Sequence, residues 1–218
     1  MKRCSDTAFL PENPHIDFEK ALWSHGLGVI AGLDEAGRGA WAGPVAAAAV
    51  VLPPDDHILV ELLGVKDSKQ LSPSQRSQMA ILIKEKAAFY AVSWADNKEI
   101  DAMGILQATR LAMMRALSSM NCIPDHLLID ALFLPDISCG QTSLIKGDRR
   151  SLSIAAASIL AKTARDALMI EMSIEFKGFS FDKHKGYGTR QHQKELADSG
   201  PCETHRMTFR PVSLIQKQ

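Results

Sequence analysis

Between Gly28 and Pro53 the chain reads GVIAGLDEAGRGAWAGPVAAAAVVLP. An apolar run through Val29, Ile30, Ala31 and Leu33 ends in two adjacent carboxylates, Asp34 and Glu35. A turn with glycines at Gly37, Gly39 and Gly43 follows, and then a second apolar run from Val45 to Leu52. Two short apolar runs joined by a turn predict neighbouring strands of a buried sheet. Acids at the rim of such a sheet are costly unless something pairs with them. The residues alone leave two readings open. Either the strand ends at a solvated turn, or the acids hold a cation while the glycines bring backbone amides close to a ligand. Adjacent residues of a regular strand face opposite ways, so a shared site for Asp34 and Glu35 requires a bend or bulge there.

The rest of the chain alternates helical and strand-like patterns. Ile16 to Ser24 predicts a short helix leading into the first strand. Ser72 is a good N-cap with Pro73 at the first helical position, opening a helix towards Lys86. Ala88 to Trp94 reads as a third strand, and Asp101 to Met120 as one long amphipathic helix. His126 to Ile129 is a short buried strand ending at Asp130, with one more strand expected around Ser143–Lys146. Ser151 to Met172 is the strongest helix, its alanines at 155, 156, 157 and 161 allowing close packing. Phe179 to Thr189 is a basic glycine-containing loop, Gln191–Asp198 a short helix, and His205–Pro211 a basic segment. Such alternation predicts an α/β fold around one mixed sheet.

Composition narrows the class. The chain has 218 residues, 46% of them hydrophobic and 23% charged, which is ordinary for a soluble globular protein. No apolar stretch approaches the ~20 residues a membrane helix needs, and the N-terminus lacks the apolar core of a signal peptide. Cys4, Cys122, Cys139 and Cys202 are scattered without metal or disulfide spacing, which favours a reducing cytoplasm. The net charge of zero conceals an asymmetry. Residues 1–140 carry 12 Lys and Arg against 17 Asp and Glu, whereas residues 141–218 carry 13 against 8. An acidic first part and a basic second part suit a protein that binds cations with one and phosphates with the other.

Asp130 shares the context of Asp34-Glu35, since each follows a strand-like run and precedes a turn. If the two strands are neighbours, three carboxylates converge at one sheet edge, the all-oxygen surroundings that hard divalent cations prefer. Here the chain closely resembles a known family. Asp34-Glu35-Ala36-Gly37-Arg38-Gly39 with Ala42-Gly43-Pro44-Val45 is similar to the signature of ribonuclease HII, the bacterial type 2 ribonuclease H. The resemblance continues in order through Asp67-Ser68-Lys69, Asp130, Lys146-Gly147-Asp148, Ile154 to Lys162, Arg165-Asp166, His184-Lys185-Gly186-Tyr187-Gly188-Thr189 and His205-Arg206. It covers roughly residues 28 to 211.

This resemblance implies a ribonuclease H-like fold, a central mixed sheet flanked by helices with a helical, basic C-terminal segment. It implies a single catalytic domain over 1–218, with an N-terminal extension (1–27), a core (28–175) and the basic segment (176–218). The implied activity is endonucleolytic: cutting the RNA strand of RNA–DNA hybrids, and incising 5′ of single ribonucleotides embedded in duplex DNA. Carried over by position, Asp34, Glu35, Asp130 and Asp148 are the metal-binding and catalytic carboxylates, holding Mg²⁺ or Mn²⁺. Asp166 is a rival for the fourth place, its alternative being an i, i+4 ion pair with Lys162. The Gly37-Arg38-Gly39 turn resembles the part that senses the 2′-hydroxyl, the group separating ribose from deoxyribose. Tyr187 is similar to the family tyrosine that packs on the deoxyribose at the RNA-to-DNA junction; without its motif it reads as an ordinary half-buried loop tyrosine. Lys69, Lys146, Lys185 and Arg206 are candidate phosphate contacts or solvated charges. His184, His192 and His205 lack metal spacing and read as phosphate or structural contacts. Ala40-Trp41 and Ala131 depart from the commonest family pattern, the last standing where glycine often follows the aspartate.

Overall fold

The structure, a computed structural model, describes residues 10–215, so the first nine residues of the expected N-terminal extension and the last three of the tail lie outside the described residues. In chain order the elements are α1 (Asp17–Trp23), β1 (Ile30–Ala36), β2 (Val45–Val51), α2 (Ile58–Glu61), α3 (Pro73–Lys86), β3 (Phe89–Ala95), α4 (Asn97–Met103) and α5 (Ile105–Ser119). Then come β4 (His126–Asp130), β5 (Gly140–Leu144), α6 (Leu152–Glu175), α7 (Phe181–His184), α8 (Arg190–Ser199) and α9 (Arg210–Ile215). The strands form one mixed five-stranded sheet in the order β3-β2-β1-β4-β5, flanked by helices. Both apolar runs around the acid pair are strands, as expected, and β2 is buried along its whole length. β1 pairs in parallel with β4 from Ile30↔His126 to Leu33↔Ile129, and β4 in parallel with β5. Asp34 and Asp130 are therefore the next residues on two adjacent parallel strands.

Two helical expectations are revised. The pattern over Asp101–Met120 is not one helix: α4 begins earlier and ends at Gly104, whose φ of 79° is left-handed, and α5 starts anew. Asp96 caps α4 in a reciprocal box with Glu99, a start signal the long apolar periodicity hid. The loop from Phe179 to Thr189 contains the short helix α7, because Phe181 is fully buried and stacks on Phe179 at 5.3 Å. By contrast α3 has the cap its sequence promised, with Ser72 accepting from the Gln75 amide and Gln75 reaching back.

The chain divides into two compact units that do not follow sequence order. The first holds the described residues up to Asp34, with Ala49–Tyr90 and Asn121–Ile159. Its core gathers Ile30, Leu128, Leu144 and Ile154, with Phe18, Leu22, Trp23 and Leu27 packed against them. Gly32 lets β1 approach the start of α6: a Cβ there would lie 2.3 Å from the Ser153 carbonyl carbon. Glu19, fully buried, ties α1 to the same place, its Oε1 accepting from the Ser151 hydroxyl (2.6 Å) and from the Ser153 amide and hydroxyl (3.0 and 2.6 Å). A carboxylate receiving an amide of the first turn of a long helix is a favourable cap.

The second unit holds Glu35–Ala48, Ala91–Met120 and the residues from Leu160 onward. Its core is Ala42, Met169, Phe179, Phe181, Leu196 and Val212, with Trp41, Phe176 and Met207 among the residues packed on it.

Candidate active site

In the first unit Asp34 lies within β1 and Asp130 is the last residue of β4. Asp34 is buried (6% exposed) and Asp130 partly so, each directly after the last ladder pair of β1 and β4. The Gly147 amide donates to Asp130 Oδ1 at 2.7 Å, and Gly147 opens a 3-10 turn that carries Asp148. The turn forms because Lys146 takes a left-handed φ of 55°, and because a Cβ at Gly147 would lie 2.7 Å from Ile154 Cδ1. Asp148 is 7% exposed. Burial, with Asp67 and then Asp130 nearby, pushes its carboxyl up to about 6 against the opposing pull of Lys69 and Arg149. Lys69 feels the same cluster from the other side. Desolvation pulls its ammonium down, but Asp148, Asp67, Asp34 and Asp130 together hold it above its usual range. Asp67, which also caps the short turn at Ser68–Gln70 through the Lys69 amide (3.0 Å), thus joins the cluster, although sequence reading placed it only within a motif.

Among the described residues no three His, Cys, Asp or Glu side chains are drawn together as a ready-made metal cage. The donor chemistry nevertheless fits a hard divalent cation. Carboxylate oxygens are the groups such ions select, and a cation among them would favour the charged form of Asp148 that burial first, and Asp67 and Asp130 next, disfavour.

The second unit begins at Glu35, the next residue of β1, whose Oε1 lies 3.1 Å from Arg38 Nη1. β1 continues as a strand through Ala36, so it does not end at the acid pair as expected, and Asp34 and Glu35 are successive residues inside it. Below the glycine turn lies a buried guanidinium. Arg165, fully buried, donates to the carbonyls of Pro44 (2.8 Å), Lys185 (2.9 Å) and Ala42 (3.1 Å). Gly37, at φ 93°, is glycine for packing as much as for backbone freedom, because a Cβ there would meet Arg165 Nε at 2.0 Å. Gly39 is different: nothing stands within 4 Å of where its Cβ would be, so its backbone faces open space beside the exposed Arg38.

Arg206 corrects an expectation. It is fully buried and donates to the carbonyls of Gly43 and Arg38 (3.0 Å each), so it braces the turn from beneath and is not exposed for a phosphate. Burial first, and Arg165 next, bring its guanidinium down to about 9. Lys146 is exposed; the Lys185 ammonium donates to the Asp182 carbonyl of its own turn. Tyr187 is half-buried, with Lys162 Nζ and the Arg165 guanidinium each 5.4 Å from its ring centroid. Its backbone bridges to Ala40, and the Trp41 amide donates to the Gly186 carbonyl at 2.8 Å. Asp166 makes the ion pair with Lys162 (2.7 Å) that its helical spacing allowed.

Comparison with known proteins gives the family. The family described as Ribonuclease HII matches residues 31–212, most of the chain. The chain belongs to the ribonuclease HII family. It is 48% identical over 193 residues to "Ribonuclease HII" of Moorella thermoacetica, covering 88% of this chain and 92% of that one. The fold is similar to ribonuclease H2 from Pyrococcus horikoshii OT3, with a TM-score of 0.71 at 24% identity over 87% of this chain and 97% of that one. It is also similar to Bst-RNase HIII, solved in complex with Mn²⁺, with a TM-score of 0.69 at 24% identity over 91% and 73%. As a ribonuclease HII the chain is a metal-dependent endoribonuclease with ribonuclease H activity on RNA–DNA hybrids. The departures from the family pattern have physical readings. Ala131 has a φ of 50°, a conformation that glycine adopts freely. Trp41 fills space that Gly188 leaves: a Cβ at Gly188 would lie 2.0 Å from the indole.

Proposed function

We propose that this ribonuclease HII cuts the RNA strand of hybrids and also incises 5′ of single ribonucleotides in duplex DNA, leaving 5′-phosphate and 3′-hydroxyl ends. Asp34, Glu35, Asp130 and Asp148 would hold two divalent ions, Mg²⁺ or Mn²⁺. Bound there, such ions supply a water of lowered pKa and a stabilised leaving oxygen for an in-line displacement at phosphorus. The observation that carries the reading is the succession of Asp34 and Asp130 at one register of adjacent parallel strands, with the turn that carries Asp148 tied to Asp130 through the Gly147 amide. Lys69, surrounded by those acids, balances their charge and lies ready to meet a phosphate. Arg38 and the open backbone at Gly39 would approach the sugar edge, held from beneath by the carbonyl contacts of Arg206 and, through Gly37, by Arg165. Tyr187, exposed on one side and backed by two cations, would stack on the deoxyribose at the junction. Lys146 and Lys185 would contact flanking phosphates. Cys122, Cys139 and Cys202 are free thiols, which supports a reducing, cytoplasmic setting.

The test is a DNA duplex carrying one ribonucleotide, incubated with Mg²⁺ or Mn²⁺ and, separately, with chelator. Incision 5′ of the ribonucleotide only with metal is expected. Cleavage of continuous hybrids with no incision of this duplex would overturn the reading of substrate.

A further inference from the structure

His184, His192 and His205 are buried (6%, 0% and 0% exposed) and form two hydrogen-bonded lines that end on the backbone of Gly186 and Tyr187. In the first line the Gly186 amide donates to His184 Nδ1 (3.2 Å), which leaves His184 Nε2–H to donate to Glu195 Oε2 (2.9 Å). The Tyr187 amide donates to the His184 carbonyl (2.9 Å). In the second line His192 Nδ1 lies 3.0 Å from the Tyr187 carbonyl, His192 Nε2 lies 3.0 Å from His205 Nε2, and His205 Nδ1 receives the Cys202 amide at 3.0 Å. The rings of His184 and His192 stack at 4.3 Å, 13° from parallel.

Proton counting gives the second line a direction. A carbonyl only accepts, so His192 Nδ1 must carry a proton; its neutral ring then accepts at Nε2 from His205 Nε2–H. His205 Nδ1 is left as the acceptor that the Cys202 amide requires. Reversing the order would set a bare Nδ1 against the Tyr187 carbonyl and a His205 Nδ1–H against the Cys202 N–H. Cys202 N–H to His205 to His192 to Tyr187 C=O is therefore the order in which each donor meets an acceptor.

We propose that His184 and His192 are positioning residues that clamp the Gly186–Tyr187 backbone, His184 at the Gly186 amide and His192 at the Tyr187 carbonyl, with His205 setting the tautomer of His192, so that the Tyr187 ring is held for the ribonucleotide–deoxyribonucleotide junction. The proposal rests on the reading of Tyr187 given above. Gly186 beside it has a φ of 79° and a place for Cβ only 2.5 Å from the Ala42 carbonyl oxygen, so the loop packs here with no room for a side chain. Burial, then the neighbouring ring, hold His192 and His205 down at about 4, so both are neutral at pH 7 as the line requires. A proton added to either ring would set two N–H groups against each other.

Two measurements test it. Imidazole ¹⁵N NMR of the wild-type protein at pH 7 is expected to find His192 protonated at Nδ1, with His184 and His205 protonated at Nε2. An Nε2–H tautomer at His192 would overturn the clamp with no variant needed. Kinetics then separate positioning from folding. The readout is the ratio of kcat/KM on a duplex with one ribonucleotide to kcat/KM on a continuous hybrid. Tyr187→Ala is expected to lower the ratio roughly tenfold or more. His192→Ala should lower it similarly, His192→Asn should restore most of it through an amide donor near the place of Nδ1, and His192→Ala should add nothing in the Tyr187→Ala background. An unchanged ratio in Tyr187→Ala overturns the reading of Tyr187. A ratio lowered by Tyr187→Ala but untouched by His192→Ala, or losses that multiply in the double variant, overturn the clamp.

Discussion

Asp148 shows how a single carboxyl reports on its surroundings. Its raised value near 6 means that the folded protein favours the protonated form, so its contribution to stability is fully present below about pH 4 and lost as pH rises through 6. Asp148→Asn is therefore expected to stabilise the metal-free protein at pH 8 by about 1–3 kcal/mol. Urea unfolding in chelator at pH 8 and at pH 4 measures it: the gain at pH 8 should disappear at pH 4. Asp34→Asn tests the ligand role directly, because it keeps the volume and removes the charge. We expect it to abolish hybrid cleavage, and to abolish the rise in thermal midpoint that Mn²⁺ gives the wild type by binding the folded state. An unchanged Mn²⁺ shift in Asp34→Asn would remove Asp34 from the ligands.

The turns between elements put these residues where they are. Ala131, Lys146 and Lys185 are the non-glycine residues with positive φ among the described residues, and each lies within two residues of one with an assigned part: Asp130, Asp148 and Tyr187. Non-glycine residues in left-handed conformations are uncommon and concentrate where the surroundings enforce them. Ala131 is also exposed, its amide donating to the Leu144 carbonyl at 3.0 Å, so replacing it disturbs no packing. Ala131→Gly should stabilise the protein by about 0.5–1 kcal/mol, the relief of backbone strain exceeding the entropy glycine adds to the unfolded chain. Chemical denaturation with an unchanged m-value is the check. Gly104 is the counterpart among helices: the apolar periodicity ran through it and predicted one helix, but at φ 79° it ends α4 and permits α5 to start afresh.

For the whole molecule, zero net charge conceals its relation to nucleic acid. The −5 and +5 balances of residues 1–140 and 141–218 are consistent with most of the acid cluster (Asp34, Asp67, Asp130) in the first part of the chain and basic residues about the Tyr187 loop in the second, although Asp148 also lies there. Hybrid binding should therefore weaken with salt as in basic proteins, because counterion release depends on the phosphates contacted and not on net charge. With roughly three contacts, affinity measured without cleavage in chelator should fall on the order of 10- to 100-fold between ~50 and ~200 mM salt. A flat response would mean that Lys69, Lys146 and Lys185 leave the phosphates untouched.

Much of this was legible in the residues alone, for a physical reason. An acid at the end of an apolar strand, an N-cap at Ser72 and apolar runs are local patterns, so the ends of β4 and α3 and the buried strands follow from neighbouring residues, whereas β1 runs on past Asp34 to Ala36. The family motifs extend that reach to Asp148 and Tyr187. What stayed hidden depends on segments far apart in sequence. Nothing local marks Arg165 and Arg206 as buried until carbonyls from residues 38 to 44, and from Lys185, surround them. Glu19 is one more helix-surface acid until Ser151 and Ser153 close on it. The histidines lack any ligand spacing because their partners are backbone groups, Glu195 and one another. A charge or an imidazole can be buried only where distant groups supply its hydrogen bonds, and those groups are brought together by tertiary packing alone.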